Sequence, residues 1–244
     1  VNDYSNANEA RILADIEPYT VTITQKSAGF TTEIQEHTHY VQMKPRTYRL
    51  AKRIMTDGVI GNPSCRSVLA DTGAKAMSKL RQIYSGTVIT EAHGAVIFDT
   101  TKAKYIMGNF SGKLAILYCF KAEGDMLRKM FGPLATDSPE HFNANPDAVY
   151  IGQILSSREG VNLSTADHLI FMGIDYSALS YLQGRDRASY LGRDRANQIH
   201  FIFAARSIEP RVYALVRNKE NYTGSHYAAD RSSLSAEADQ AIRS

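Results

Sequence analysis

The chain has 244 residues, 43% hydrophobic and 22% charged, which describes a globular protein of one or two domains and excludes a disordered or fibrous one. Lys and Arg number 28 against 25 Asp and Glu, and the resulting net charge of +3 is too slight to argue for a nucleic-acid partner by itself. Cys65 and Cys119 stand far apart, which excludes a disulfide framework and favours a reducing cytoplasm. No apolar run approaches the roughly 20 residues that span a bilayer, and no signal peptide opens the chain. A first residue of Val1 in place of Met suggests a piece of a longer protein.

In chain order, Asn8–Pro18 carries Ile12, Leu13 and Ile16 on one side of a short amphipathic helix. Val21–Thr24 and His37–Met43 alternate as short strands do. Thr47–Met55 and Lys75–Tyr84 space their apolar residues as helices, so residues 1–84 are expected to form a helical linker region. From residue 85 to 222 strands alternate with helices. The expected strands are Val96–Phe98, Lys113–Phe120 (KLAILYCF), Ala148–Leu155, His168–Met172 and Ile199–Ala204. Helices are expected over Ala122–Phe131, stopped by Gly132 and Pro133, then over Tyr176–Arg187 and Ile208–Val216. This order predicts an α/β body of five or six mainly parallel strands flanked by helices. Residues 223–244 are small and polar and are expected to be a disordered tail with at most a marginal helix at Ala236–Ile242.

Ligands of open α/β sheets collect at the carboxyl ends of the strands, and two segments are expected there. In Ser156–Ala166 (SSREGVNLSTA), Gly160 permits a turn that other residues resist, while Ser157, Asn162, Ser164 and Thr165 offer short hydrogen-bonding groups. In Gln183–Arg187 the guanidinium groups are able to grip a phosphate bidentately. A short repeat follows: Ser180–Ala188 reads SYLQGRDRA and Ser189–Ala196 reads SYLGRDRA, which doubles the candidate arginines.

Taken together, KLAILYCFKAE, EGVNLSTADHLI and YLQGRDR resemble the fourth, fifth and sixth motifs of superfamily 2 helicases. The match is to the second RecA-like (Rossmann-like) lobe of Swi/Snf-type ATPases, particularly phage or prophage members, which would place it in a bacterial host cytoplasm. Gly160, Asn162, Leu163, Ala166 and Asp167 fit the fifth motif; Gln183 and Arg187 fit the sixth, while Tyr190 departs from it. KLRQIYSG at Lys79–Gly86 is similar to the segment entering that lobe. The resemblance implies that ATP and Mg2+ are held mainly by an N-terminal lobe absent from this chain, which contains no G-x-x-x-x-G-K-[ST]. It implies Arg187 as arginine finger with Gln183 as partner and Arg185 as neighbour, Arg193 and Arg195 being alternatives from the second copy. Glu159, Gly160 and Asn162 would face the nucleotide, and Ser157, Asn162 and Lys121 the backbone of duplex DNA. Were both copies on one helix, eight residues would turn through roughly 800° and leave them about 80° apart, unable to serve one pocket. The chain alone is expected not to hydrolyse ATP.

Plainer readings stand beside these. The arginine-rich segment is by default a solvated face, with Asp186 and Asp194 pairing with their neighbours, and Ser157 and Asn162 are turn-forming residue types. Gln82 reads as structural, and Tyr150, Tyr176 and Tyr181 as packing residues rather than base-stacking ones. His37 and His39 share one side of a strand, but no Cys or His cluster supports a metal site. Neither a nucleophile elbow nor G-x-G-x-x-G occurs, which leaves a hydrolase or dinucleotide enzyme without support. The alternative to a motor lobe is a catalytically inactive nucleic-acid-binding or protein-interaction module on the same fold.

Overall fold

The computed structural model describes residues 8–19, 34–62, 65–91, 94–154, 161–186 and 196–243. After a short helix α1 (Glu9–Ile16), strand β1 (Ile34–Val41) leads into helix α2 (Pro45–Asp57), which Gly58 ends in the left-handed conformation. An antiparallel pair, β2 (Val59–Asn62) and β3 (Cys65–Leu69), precedes helix α3 (Gly73–Tyr84). A hairpin of β4 (Thr87–Thr90) and β5 (Gly94–Ile97) then feeds helix α4 (Thr101–Asn109). Alternation follows as expected: β6 (Leu114–Tyr118), α5 (Lys121–Phe131), β7 (Ala135–Thr136), α6 (Pro139–Ala144) and β8 (Val149–Gln153). The remainder is β9 (His168–Phe171), α7 (Ala178–Arg185), β10 (Asn197–Ala204), α8 (Glu209–Arg217) and α9 (Gly224–Arg243).

Six strands form one sheet in the order β1-β10-β9-β6-β8-β7, and every neighbouring pair is parallel. A parallel sheet is covered on both faces, so its central strands must be apolar on both sides. All five residues of β6 are accordingly buried. On one face Phe201 stacks on Phe171 and packs against Tyr181 of α7 and Tyr213 of α8. On the other, α4 and α5 cover the sheet, Tyr105 of α4 meeting His39 and Gly124 of α5 meeting Tyr118.

Gly86 fixes how the hairpin leaves α3. Its φ is +87°, and a Cβ there would lie 1.9 Å from the carbonyl oxygen of Asp99. Asp99 is buried and gathers four hydrogen bonds, from the Lys44 and Thr101 amides and the Thr47 and Thr101 hydroxyls, tying α2 to the start of α4. Burial alone would raise its pKa, but the bonds from Thr101 and Thr47 hold the carboxyl below its usual value.

Two expectations are corrected. Residues 1–84 are not only a helical linker, because β1 joins the sheet as an edge strand, in register with β10 from Ile34↔Asn197 to Val41↔Ala204. Its residues facing α4 include His37 and His39, so a hydrophobic pattern understates it. Residues 224–243 are not a disordered tail but the helix α9, which packs on α2 and α3 and buries Tyr227, Leu234, Ala238 and Ala241. That face is built partly of alanines, whose small side chains carry little hydrophobic signal. The strand expected at Val21–Thr24 lies outside the described residues.

Candidate functional site

The loops at the carboxyl ends of the central strands converge on a network of buried charge. Beyond β6, the Glu123 carboxylate accepts hydrogen bonds from the Cys119 and Phe120 amides at 2.8 and 3.4 Å, so α5 begins rigidly. Burial pushes Glu123 up, and the Cys119 thiol is likewise raised by burial to about 12, which keeps it protonated and inert. Lys121 stands at the first turn of this helix, exposed to solvent.

Beyond β9 and β10 lies an ion pair that the sequence reading missed. Lys102 Nζ of α4 is 2.7 Å from both Glu209 oxygens and 3.2 Å from the Met172 carbonyl, and the Ala204 amide donates to Glu209 at 2.7 Å. No composition or periodicity signal marks these two residues; Glu209 opens an ordinary helix and Lys102 sits among threonines and alanine. Arg206, in the adjoining turn, adopts a φ of +54°, unusual for a side chain of its size.

The third loop runs from Met172 to Ser177 and launches α7. The Ser177 side chain caps that helix by accepting the Ser180 amide. Gly184 brings the helix down onto the sheet: a Cβ there would lie 2.8 Å from Phe171 and 3.8 Å from Leu117, near the carboxyl ends of β9 and β6. Gln183, one residue earlier on the helix, is exposed. Arg185 is partly buried, with Nε 3.1 Å from Asp186 and its guanidinium over the Tyr181 ring, the neighbour pairing anticipated for Asp186. Helix α7 is described over Ala178–Arg185, and the second repeat copy, with the 80° estimated between the copies, lies outside the described residues apart from Ala196. Arg187, Arg193 and Arg195 lie outside the described residues.

The segment after β8 behaves differently from expectation. Ser157, Glu159 and Gly160 lie outside the described residues. Val161 lies beside Gly152 and Gln153 of β8, but Asp167 sits at the opposite end of the sheet, accepting the Lys113 amide just before β6 at 2.8 Å. The reason is topological. Strands β8 and β9 are both parallel to β6, which lies between them, so the connection must carry the chain back to the amino ends. Asn162 is exposed on this return limb, where its Oδ1 accepts the Ser164 amide at 2.9 Å and its carbonyl accepts Asn143 Nδ2 at 3.0 Å. Among the described residues no hydrogen bond joins Asn162 to Lys121, Gln183 or Arg185. Gln183 and Arg185 thus share helix α7 two residues apart, and Asn162 lies on the return limb.

Other side chains weighed from the sequence are engaged within the fold. The Gln82 Oε1 accepts the Ile89 amide at 2.9 Å, and Tyr150 and Tyr181 are buried. His37 stacks on His200, while His39 Nε2 and His168 Nδ1 meet the two ring nitrogens of His200 at 3.0 and 2.9 Å. Among the described residues no group of three His, Cys, Asp or Glu side chains is arranged to hold a metal ion, and no helix is long and apolar enough to cross a membrane.

No family model matches the chain. Over 109 residues, 42% of the chain, it is 33% identical to the transcription regulatory protein SNF2 of Saccharomyces cerevisiae, of which it spans only 6%. Among solved structures, the C-terminal part of the Fun30 ATPase domain superposes with a TM-score of 0.53 at 12% identity, covering 86% of this chain and 99% of that one. The Sulfolobus solfataricus SWI2/SNF2 ATPase core in complex with dsDNA superposes with a TM-score of 0.55 at 16% identity, covering 96% of this chain and 54% of that one. The fold is therefore the RecA-like α/β fold of these ATPase domains.

Proposed function

We propose that the chain is the C-terminal lobe of a Swi/Snf-type, ATP-driven DNA translocase, working against an ATP-binding lobe supplied by another segment or chain. The observation that carries this is the 33% identity to SNF2 over 109 residues, in a chain whose fold matches SWI2/SNF2 ATPase cores. The residues present suit a lobe that closes over a nucleotide held elsewhere. The sequence has no phosphate loop, and Gln183 and Arg185 lie on α7, whose Gly184 packs against Phe171 at the end of β9.

In this reading α7 delivers Arg187 toward the γ-phosphate, where a guanidinium fork offsets charge developing on the transferred group and is worth about 10³–10⁵ in rate. Gln183 is its partner and Arg185, held by Asp186, the neighbouring cation. Glu159 and Gly160 are assigned to the nucleotide edge and Ser157 and Lys121 to the DNA backbone, whereas Asn162, held by Asn143 on the return limb, is left out of both. ATP and Mg2+ are bound mainly by the other lobe.

The test is ATP hydrolysis with and without duplex DNA, by this chain alone and by a protein that pairs it with its ATP-binding lobe. DNA-stimulated turnover only in the paired protein, lost in Arg187→Ala, is the expected result. Turnover by the isolated chain overturns the division of labour. An inactive paired protein instead favours a binding module that retained the fold.

A further inference from the structure

Arg81, in the KLRQIYSG segment, has no role in the reading above, yet among the described residues it is an arginine well enclosed at the carboxyl end of the sheet. It lies in the last turn of α3 with its side chain 14% exposed. Its Nη1 donates to Asp175 Oδ1 at 2.9 Å. The guanidinium carbon lies 5.2 Å from the Phe120 ring centroid and 4.8 Å from that of Tyr176, so the group is held between the loop after β6 and the loop after β9.

The Asp175 oxygen that takes Arg81 also accepts the Tyr176 amide at 2.8 Å, and the Tyr176 hydroxyl donates to the Met77 carbonyl, one turn earlier on α3, at 2.7 Å. Two consecutive loop residues are thus gripped by one helix. From the other side Tyr222 stacks on Tyr176, its amide donates to the Tyr176 carbonyl at 3.1 Å, and Asn221 Oδ1 accepts the Ala178 amide at 2.9 Å. Ser177, capping α7, comes directly after this grip.

Even a partly buried ion pair is a poor device for stability, because desolvation offsets much of its attraction and an apolar pair of similar volume serves as well. What an arginine between two rings and a carboxylate provides, and an aliphatic side chain does not, is direction. We infer that Arg81 is a positioning residue: through Asp175 and Tyr176 it fixes the loop that launches α7, and so the direction in which that helix presents Gln183, Arg185 and the following Arg187. The last step rests on the reading of Arg187 as the finger; the clamp does not.

The experiment has two parts. Hydrogen exchange on this chain compares the unsubstituted protein with Arg81→Lys, which keeps the charge but loses the planar fork, and with Asp175→Asn. Residues 174–184 should exchange roughly tenfold faster, while β6, β9 and β10 keep their rates. Unchanged exchange in that segment, or equal acceleration throughout the sheet, overturns the clamp. Should Arg81→Lys not fold, Tyr176→Phe removes only the hydroxyl bond to Met77 and should loosen the same segment. In the protein paired with its ATP-binding lobe, Arg81→Lys should lower kcat while the KM for ATP stays within about twofold, and lower it less than Arg81→Gln does. A loosened loop with undiminished kcat overturns the positioning role. No hydrolysis by the unsubstituted paired protein overturns the motor reading, and the exchange data alone then decide the clamp.

Discussion

Lys102 and Glu209 face each other with their side chains only 0% and 3% exposed, joining α4 to α8 across the carboxyl ends of β9 and β10. Both Glu209 oxygens are engaged, one of them also by the Ala204 amide, and Nζ reaches the Met172 carbonyl besides. Lys102→Met leaves a carboxylate buried without its cation and should destabilise the chain by about 3–5 kcal/mol in chemical denaturation. Adding Glu209→Gln to it should recover part of that loss, because the neutral amide is cheaper to bury. A double variant less stable than the single one would contradict this account.

Acid should weaken the β1 edge. Burial, then the neighbouring His168, His39 and His37, pushes the His200 imidazole down to about 3, against about 6.5 in an unfolded chain. Between those values the unfolded chain holds the extra proton, so stability rises with pH through the window and is complete above it. Each such proton contributes a slope of at most about 1.4 kcal/mol per pH unit. Melting temperatures from pH 4.5 to 7.5 should therefore climb steeply, and His200→Phe should flatten the climb. An equally steep profile in the variant would assign the acid sensitivity to other groups.

Gly184→Ala places a methyl 2.8 Å from the Phe171 ring, which is buried and stacked on Phe201 and so has little room to yield. The expected cost is about 1–3 kcal/mol, with α7 displaced from the sheet. In the paired motor, turnover should fall further than the stability loss explains. Retained stability would show that the helix shifts without penalty.

Leu234→Ala tests whether α9 belongs to the folded body. Leu234 is fully buried on that helix, and its truncation should cost about 2–5 kcal/mol by denaturant titration. Exposed Ser232 serves as the control, since Ser232→Ala should change stability by no more than about 0.5 kcal/mol.

What the sequence made legible follows from how strongly each segment is patterned. LAILY and HFIFA announce buried strands because nothing else suits such runs, and Thr47–Met55 and Lys75–Tyr84 were placed within a few residues of α2 and α3. Strand β1 was visible, but its pairing with β10 was not, since no local pattern encodes a partner more than 150 positions away. Helix α4 was missed because threonine, lysine and glycine dilute its apolar face. At the site, motif order singled out Gln183 and Arg185, which the structure carries on α7. The function of the 161–167 limb as a return to the amino ends depended on strand order, which composition does not reveal. Arg81, Lys102 and Glu209 look like surface charges in one dimension; Arg81 is partly and the other two fully buried through contacts made 94 and 107 positions apart.

The pairing of β1 with β10 also sets a timetable. A ribosome delivers Ile34–Val41 early and Asn197–Ala204 late, and at about 5–20 residues per second the first strand waits roughly 10–30 s for its neighbour. During that interval His37 and His39 remain in water, and an open strand edge is on offer to any other nascent chain. Completion of the sheet is thus a late event in biosynthesis, and any holdase that recognises this protein should find its target in the strand that was made first.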